Sequence, residues 1–495
     1  RNIIANFLGQ GWSGFMAVAF LPLYVQYLGV EAYGLIGLFV VFQALVAILD
    51  MGIGNTLNKE MASFAHGRHS VHAIRDLLRR LEKICYSLAV IILLTGWFFS
   101  DYLAREWLKA EHLVANEVAY ALVLMTLVAA LRLCEGLYRG ALYGLEDQVW
   151  YNLTYSIIST LRYLGALGIL MFFSDTIKAF FLWQAAVSIV TLIALTWRVH
   201  HSLPVPLDQA KAPKEPAIKV LKYAGGVMGI TFLTMIFLQS DKVLLSRLVS
   251  LKELGYYSLA ATAASVIFIL VVPVTQGIFP QLVRFSSGND PLKMAATYRK
   301  ATKLVVVLTA SASMLLYFFS AEVVYVWSGN PDLVKNSAPL LSILALGSFL
   351  NGLSHLPCQL LIAHGWTTLL LKINAIILLL YIPTMLIVVP PYGVQGAAWV
   401  WVATNVGYLL AMSFLMHARL LTDQKWNWYF FDVLLPTCGA VIVMILAKKI
   451  QPNLQVDRVH WLLFLMLTGV LAVLISAMFA TFFKSADVTN MSENK

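Results

Sequence analysis

Long apolar stretches recur along the whole chain and leave few folds open to it. Windows long enough to cross a bilayer occur at residues 3–24, 34–58, 84–104, 113–138, 149–173, 177–199, 220–247, 257–283, 303–327, 337–363, 367–389, 394–418, 431–450 and 460–483. Polar residues, glycine or proline separate each window from the next. The pattern predicts an all-α polytopic membrane protein with about 14 transmembrane helices.

The composition agrees with a chain that is solvated mainly by lipid. Of the 495 residues, 60% are hydrophobic and only 12% are charged, whereas about 25% is the usual charged share of a soluble domain. The four cysteines are far apart and do not form a disulfide framework or a Cys-x-x-Cys metal motif. Motifs typical of ATP hydrolysis, zinc hydrolysis and serine hydrolysis do not occur. We therefore expect a transporter rather than an enzyme.

The distribution of Lys and Arg predicts the orientation, because cytoplasmic loops of membrane proteins are enriched in these residues. An even number of helices puts both termini on one side. With the termini in the cytoplasm, 24 of the 35 Lys and Arg residues fall on or near that side and ten on the opposite side, while Arg162 lies inside a span. The N and C termini are therefore predicted to be cytoplasmic.

A Pro-rich and charged segment divides the chain into two similar halves. At an offset of about 220 residues, RRLEK from Arg79 aligns with RKATK from Arg299, as in an internal repeat. Each half has an even number of helices, so the repeats keep one orientation and can enclose a central cavity that opens by alternating access. The predicted parts are an N-terminal six-helix bundle (1–200), a cytoplasmic linker (201–219), a C-terminal six-helix bundle (220–420) and two additional helices (431–484).

Motifs at the start of each half carry a resemblance to a known family. PLYVQYLGVEAYGLIGL begins at Pro22, ILDMGIGNTL at Ile48, and QSDKVLLSRLVSLKELGYYSLA at Gln239. They resemble the polysaccharide transporter family, the Wzx-type lipid-linked oligosaccharide flippases. In that family an L-G-x-E-x-Y/F-G-L turn opens the second helix and D-x-G follows. The matching residues here are Leu28, Gly29, Glu31, Tyr33, Gly34, Asp50 and Gly52.

The resemblance implies a function within the multidrug, oligosaccharidyl-lipid and polysaccharide exporter superfamily. The substrate would be an oligosaccharide on undecaprenyl diphosphate, such as an O-antigen unit, moved across the bacterial inner membrane. Expected partners are membrane lipids, a glycan polymerase and chain-length machinery; nucleic acid is not expected. No cofactor is expected, and the candidate driving forces are an H⁺ gradient, an Na⁺ gradient or the membrane potential.

Arginines at membrane depth are the candidate substrate-binding residues. Charge inside a bilayer is costly, so Arg162 in the middle of the fifth span needs an internal partner or a polar cavity. On the fourth span Arg132, Glu135 and Arg139 are spaced i, i+3 and i+7, which places them on one helical face. Guanidinium groups bind phosphate oxygens in a bidentate fork, so this stripe suits a diphosphate. Alternatively, Arg132 and Arg139 only set the topology, and Glu135 is either a proton-responsive switch or part of a static ion pair.

Other charges at the ends of spans are candidate gating residues. Asp50, close to Gly52 and Gly54, is a candidate gate at the cytoplasmic mouth, or a carboxylate that is satisfied by local backbone at a helix break. Asp241 and Lys242 on the seventh span form a candidate outer gate, or a self-neutralising interfacial pair. His66, His69 and His72 lack supporting acidic or Cys residues, so a metal site is not expected there.

Three other functions compete with a flippase. A cation-coupled multidrug exporter of the same superfamily would need a neutral or acidic cavity, which the arginines disfavour. A membrane-embedded glycan polymerase or ligase would need a long external loop, and the predicted external loops are short. The sequence does not exclude an inert scaffold for an export complex.

Overall fold

Helices account for the regular structure of the part of the chain that the structure describes. The computed structural model describes residues 2–65, 70–204, 217–288, 290–422, 425–452 and 457–482. The α-helices are α1 (Asn2–Ala19), α2 (Leu21–Ala65), α3 (Val71–Tyr102), α4 (Ala115–Gly144), α5 (Gln148–Phe172), α6 (Ile177–Ser202), α7 (Ala217–Leu248), α8 (Leu251–Ser287), α9 (Pro291–Phe318), α10 (Ser320–Ser328), α11 (Pro331–Ala363), α12 (Thr367–Arg419), α13 (Lys425–Asn427), α14 (Leu435–Ile450) and α15 (Arg458–Phe482). Within the described residues, 11 helical segments are long and apolar enough to cross a membrane.

Two glycines divide the longest helices into separate spans. Gly29 in α2 has φ of 80° and Gly393 in α12 has φ of 57°, a backbone region that favours glycine because it has no Cβ. The predicted windows 3–24 and 34–58 lie on either side of Gly29, and the windows 367–389 and 394–418 lie on either side of Gly393. These divisions agree with a count of about 14 spans, and the all-α polytopic fold class is confirmed.

Some helix ends differ from the predicted windows because a helix can continue beyond its apolar part. α3 begins at Val71, well before the window at 84, and the Ser70 side chain caps it by accepting a hydrogen bond from the Ala73 N–H (3.2 Å). The window 303–327 instead contains the end of α9 and all of α10. The break is at Phe319, whose backbone is not helical (φ −120°, ψ 30°). Hydropathy does not detect it, because Ser320 and Glu322 are too few polar residues to interrupt an otherwise apolar window.

Contacts divide the chain into two compact units, Arg1–Gly255 and Tyr256–Lys495. In the first unit α4 is the central helix and packs against α2, α3 and α6, while α1 packs on α5 and α7 on α2. Most side chains of α4 between Val118 and Gly144 are buried. The unit therefore surrounds most of α4 with other helices, and the Glu135 side chain on it faces protein rather than lipid.

In the second unit α9 packs against α11, α14 and α15. A π-helical turn, Trp428–Leu434, leads into α14 and carries the fully buried Asp432. Arg299 of α9 donates two hydrogen bonds to this carboxylate (2.7 and 3.2 Å), and the Lys303 ammonium lies 3.7 Å from it. This ion-pair network links the π-helical turn at the start of α14 to α9.

Most of the predicted linker, residues 205–216, lies outside the described residues, as do His66 and His69. The division into two like-oriented six-helix bundles plus two additional helices therefore stays a prediction.

Candidate functional site

A cavity of about 200 Å³ lies inside the first unit, where four helices face each other. Its polar and aromatic lining comes from α2 (Gln43, Asp50), α4 (Arg132, Glu135, Arg139), α5 (Tyr151, Tyr155, Arg162) and α6 (Thr191). The structure thus brings together five of the seven side chains that the sequence singles out. They come from three helices, so the cluster is tertiary rather than one helical stripe.

Arg162 and Glu135 face each other without forming a hydrogen bond. The Arg162 Nη2 atom is 3.9 Å from Glu135 Oε1, and the two side chains are only 8% and 12% exposed. Neither atom has a hydrogen-bond partner within the described residues. Buried polar atoms are normally satisfied, so this pair retains capacity to bind a ligand or water between its members.

Arg132 lies on the same face of α4 as Glu135 and contacts α2. Its Nη1 atom donates a hydrogen bond to Gln43 Oε1, and its guanidinium group lies over the Phe39 ring, 5.5 Å from the centroid. An amide and a ring orient this cation without neutralising it. Arg132 therefore keeps its positive charge available to the cavity.

Arg139 pairs with Asp50 across the α2–α4 crossing. The Arg139 side chain is 46% exposed and that of Asp50 only 9% exposed. Asp50 can lie against α4 because the facing residue is Gly136, where a Cβ atom would be 2.0 Å from Asp50 Oδ1. Asp50 lies within continuous helix rather than at a break, so the predicted alternative of a carboxylate satisfied at a helix break does not describe this site.

Close helix approach at this crossing follows from glycines spaced four residues apart. A Cβ atom at Gly140 would be 2.3 Å from the Gly54 carbonyl oxygen, and one at Gly144 would be 2.3 Å from that of Asn58. Small residues allow two backbones to come this close in membrane helices. Gly54 is thus one of the positions at which the two helix backbones approach each other closely.

Two tyrosines form an aromatic wall that the sequence analysis did not identify. Tyr151 and Tyr155 lie one turn apart on α5, with nearly parallel rings and centroids 5.6 Å apart. Both line the cavity, as does Arg162 two turns further along the same helix face. The only sequence signal is the shared spacing of Tyr151, Tyr155 and Arg162 on α5.

The two outer gating candidates lie elsewhere. Asp241 and Lys242 are on α7 and do not line this cavity; Asp241 is buried, and its Oδ1 accepts a hydrogen bond from the Lys242 backbone N–H (2.7 Å). Within the described residues, no group of three or more His, Cys, Asp or Glu side chains could hold a metal ion.

The chemistry of the cavity favours an anion with a polar organic group attached. Three arginines against two carboxylates leave one formal positive charge in a buried space. Guanidinium groups in such surroundings bind phosphate through charge-assisted hydrogen bonds. The adjacent tyrosines offer ring faces and hydroxyl groups.

The fold and this cavity together define a multi-pass membrane protein of the transporter type, and comparison with known proteins identifies the family. The profile of the family described as Polysaccharide biosynthesis protein matches residues 1–286, which is more than half of the chain, and the MatE profile matches residues 227–387. The chain belongs to the polysaccharide biosynthesis protein family.

Individual relatives and solved structures agree with this family. A Shigella flexneri protein that carries the name of an O-antigen transporter is 21% identical over 408 residues, which cover 81% of this chain and 93% of that protein. The lipid II flippase MurJ in an inward closed conformation superposes with a TM-score of 0.70, at 15% identity, over 97% of this chain and 98% of its own. An inward-facing multidrug resistance MATE transporter of the MOP superfamily superposes with a TM-score of 0.67, at 14% identity. The superposition covers 83% of this chain and 96% of that transporter. These proteins are named as transporters or flippases rather than enzymes.

Proposed function

We propose that this protein is a flippase that moves undecaprenyl-diphosphate-linked oligosaccharide, an O-antigen unit or a similar surface glycan, across the bacterial inner membrane by alternating access. The observation that carries the proposal is the Arg162–Glu135 pair: a buried guanidinium, 3.9 Å from its carboxylate partner and not hydrogen-bonded to it, in a cavity with net positive charge. The family and the name of the Shigella flexneri relative support the same class of substrate.

The diphosphate would bind between Arg132 and Arg162. Among the described residues that line the cavity, Glu135 is the carboxylate beside these two cations, because Asp50 pairs with Arg139. A diphosphate therefore brings the negative charge that this end of the cavity lacks. Arg139, already paired with Asp50, would bind the diphosphate only when that ion pair opens. Asp50 would thereby control entry, as the sequence analysis predicts for a gate at the cytoplasmic mouth.

The sugar next to the diphosphate would lie against Tyr155 and Tyr151. Both rings are within the same cavity as the arginines, and the two are already stacked on each other. An aromatic face packs well against the apolar face of a sugar ring, and the tyrosine hydroxyl groups can bond its hydroxyls. In this proposal the arginines recognise the diphosphate and the tyrosines recognise the glycan.

Complementation of glycan export tests the proposal. The gene is expressed in a bacterium that lacks its own O-antigen flippase, and surface O-antigen is measured beside the Arg162→Ala variant at matched membrane levels. We expect export with the wild-type chain and little with the variant. Failure of the wild-type chain to restore any lipid-linked glycan export would refute the proposed function.

The main alternative is a cation-coupled multidrug exporter, which the MATE-like fold would also accommodate. Its substrates are cations, and a cavity with three arginines and two carboxylates repels them. Efflux of a cationic dye by the wild-type chain but not by Arg162→Ala would favour this alternative. Coupling to an H⁺ gradient, an Na⁺ gradient or the membrane potential stays part of the proposal, as do inner-membrane location and cytoplasmic termini.

A further inference from the structure

Two side-chain pairs with the same spacing join α2 to α4 beside the cavity. Arg132 donates a hydrogen bond to the Gln43 side-chain oxygen, and Arg139 donates one to the Asp50 carboxylate. In each pair the arginine lies 89 residues after its partner, and the pairs are seven residues apart along both helices. Seven residues make two helical turns, about 10 Å along the axis. The same arrangement therefore occurs at two depths, and all four side chains line the cavity.

The two pairs differ only in the charge of the residue on α2. Asp50 neutralises Arg139, whereas Gln43 offers Arg132 an uncharged amide. A glutamate at position 43 has the same shape and would hold Arg132 more strongly, because charge-assisted hydrogen bonds are roughly twice as strong as neutral ones. Holding Arg132 in place therefore does not require an amide. The amide differs from glutamate in leaving the charge of Arg132 without a counter-charge.

The second contact of Arg132 on α2 is also uncharged. Phe39 lies one turn before Gln43, and its ring centroid is 5.5 Å from the Arg132 guanidinium carbon. The buried Phe39 ring is held edge-on by Phe181 of α6, with centroids 5.2 Å apart and an angle of 80° between the rings. A ring face attracts a cation without adding a negative charge. Gln43 and Phe39 thus orient Arg132 and leave it cationic.

The residue at position 43 consequently decides the charge of this part of the cavity. Among the described lining residues, Arg132 and Arg162 bring two positive charges to this depth and Glu135 brings one negative charge. The sum is one positive charge, whereas the Asp50–Arg139 pair sums to zero. A carboxylate at position 43 would bring the sum at the Arg132 depth to zero as well.

We propose that Gln43 is a specificity-determining residue, whose uncharged amide keeps the part of the cavity around Arg132 and Arg162 positive and thereby selects a diphosphate. This inference rests on the proposed function and deepens it, because it concerns the same cavity. Specificity is a difference between affinities, and a like charge placed beside a ligand rejects it. Gln43 acts through Arg132 and need not touch the substrate.

The first test replaces the amide with a carboxylate of the same shape. Calorimetry on purified protein in detergent, with magnesium-free pyrophosphate as the probe, should show that Gln43→Glu raises the Kd at least about tenfold, because like charges repel. Its thermal unfolding temperature should not fall, because Arg132 gains a charged partner. Gln26→Glu is the matched control: it makes the same change at an exposed position of α2 outside the cavity, and binding should not change.

A second variant separates the charge at position 43 from its hydrogen bond. Gln43→Leu removes the hydrogen bond to Arg132 and leaves the charge of the cavity unchanged. A neutral hydrogen bond contributes less than a charge does, so the loss of pyrophosphate affinity should be at least about threefold smaller than in Gln43→Glu. Equal losses in the two variants would show that Gln43 only positions Arg132.

A charge swap between the two pairs is the third test. The Gln43→Glu/Asp50→Asn variant keeps the total charge of the cavity and moves the carboxylate from Arg139 to Arg132. Coulomb interactions weaken with distance, so this variant should still bind pyrophosphate at least about threefold more weakly than the wild-type chain. Wild-type affinity in the double variant would show that only the total charge matters.

The outcomes distinguish this inference from the proposed function. Wild-type binding of pyrophosphate together with unchanged affinity in Gln43→Glu overturns the role of Gln43 and leaves the diphosphate site in place. A lower unfolding temperature or loss of folded protein in Gln43→Glu would show that the fold requires the amide, which also overturns that role. If the wild-type chain binds no pyrophosphate, the diphosphate site of the proposed function fails, and the role of Gln43 fails with it.

Discussion

At the scale of single residues, the buried arginines are unequal because their partners differ. Arg139 has a bonded carboxylate, Arg132 has an amide and a ring, and Arg162 has a carboxylate that is too far away to accept a hydrogen bond. A guanidinium at membrane depth is stable only with partners or water. Arg162 is consequently the arginine whose bonding improves most when an anion enters.

Replacing Arg162 should impair substrate binding more than stability. A hydrogen bond to a charged group is worth about 1.5–3 kcal/mol, so Arg162→Ala should reduce glycan export or pyrophosphate affinity at least about tenfold, and Arg162→Lys should recover part through charge alone. Arg419→Ala serves as the control, because Arg419 is exposed at the end of α12, lies over the Trp366 ring and does not line the cavity. Normal export by Arg162→Ala at matched expression would contradict the diphosphate role.

Tyr155 should contribute to binding of the sugar but not to binding of the diphosphate. Aromatic packing is worth about 0.5–1.5 kcal/mol, so Tyr155→Leu should weaken binding of a soluble sugar diphosphate, UDP-N-acetylglucosamine, by roughly 3- to 10-fold and leave pyrophosphate binding unchanged. Tyr155→Phe should retain most of the affinity. Calorimetry on purified protein measures both ligands.

The control for Tyr155 is another tyrosine of the same unit. Tyr120→Leu changes an exposed ring that contacts Lys178 and does not line the cavity, and it should affect neither ligand. Equal losses for pyrophosphate and the sugar diphosphate in Tyr155→Leu would show that Tyr155 only supports the fold of the cavity.

Sequence alone could identify the arginines but not their partners or the tyrosines. A charged residue in an apolar window is conspicuous because lipid makes it costly, which is how Arg162 was predicted. Helical spacing placed Arg139 beside Glu135, whereas the structure pairs it with Asp50, 89 residues away. Tyr155 sits in an apolar helix, where aromatic residues usually pack in the core, so only the tertiary arrangement shows that it faces a cavity.

At the scale of helices, the α2–α4 crossing brings the lining residues of these two helices to the same cavity. Gly136, Gly140 and Gly144 bring α4 against the backbone of α2, and Asp50 reaches Arg139 across this contact. A G-x-x-x-G pattern is common in apolar helices and predicts no particular partner. The structure supplies the partner, and with it the reason for glycine at these positions.

Enlarging Gly140 should separate these two helices. A Cβ atom there would be 2.3 Å from the Gly54 carbonyl oxygen, and overpacking costs about 1–3 kcal/mol. Gly140→Leu should therefore lower the thermal unfolding temperature in detergent and reduce export. Gly168→Leu, where a Cβ atom has no neighbour within 4 Å, should leave the unfolding temperature unchanged. Equal effects of the two substitutions would argue against a specific close crossing.

At the scale of the whole chain, hydropathy is sufficient to predict the fold class. Lipid requires long apolar helices, because every backbone N–H and C=O group there must be hydrogen-bonded within the protein. Hydropathy is also sufficient for the divisions near Gly29 and Gly393, where turn residues interrupt apolar windows. It does not detect the break at Phe319, because the two polar residues that follow, Ser320 and Glu322, do not interrupt the apolar window and no glycine or proline marks the turn. Hydropathy therefore does not predict helix ends that depend on local backbone geometry rather than on solvation.

Orientation is the property of the whole chain that charge predicts most directly. Lys and Arg are kept out of translocated loops. With the termini inside, 24 Lys and Arg residues fall on or near the cytoplasmic side and ten on the opposite side. In a cysteine-free background, Ala210→Cys in the linker should react with an impermeant maleimide only after spheroplasts are permeabilised. Lys335→Cys, exposed near the start of α11, should react in intact spheroplasts. The reverse pattern would invert the topology, and the arginine cavity would then lie nearer the outer leaflet than the leaflet where a lipid-linked glycan is loaded. Labelling therefore tests the proposed direction of transport along with the orientation.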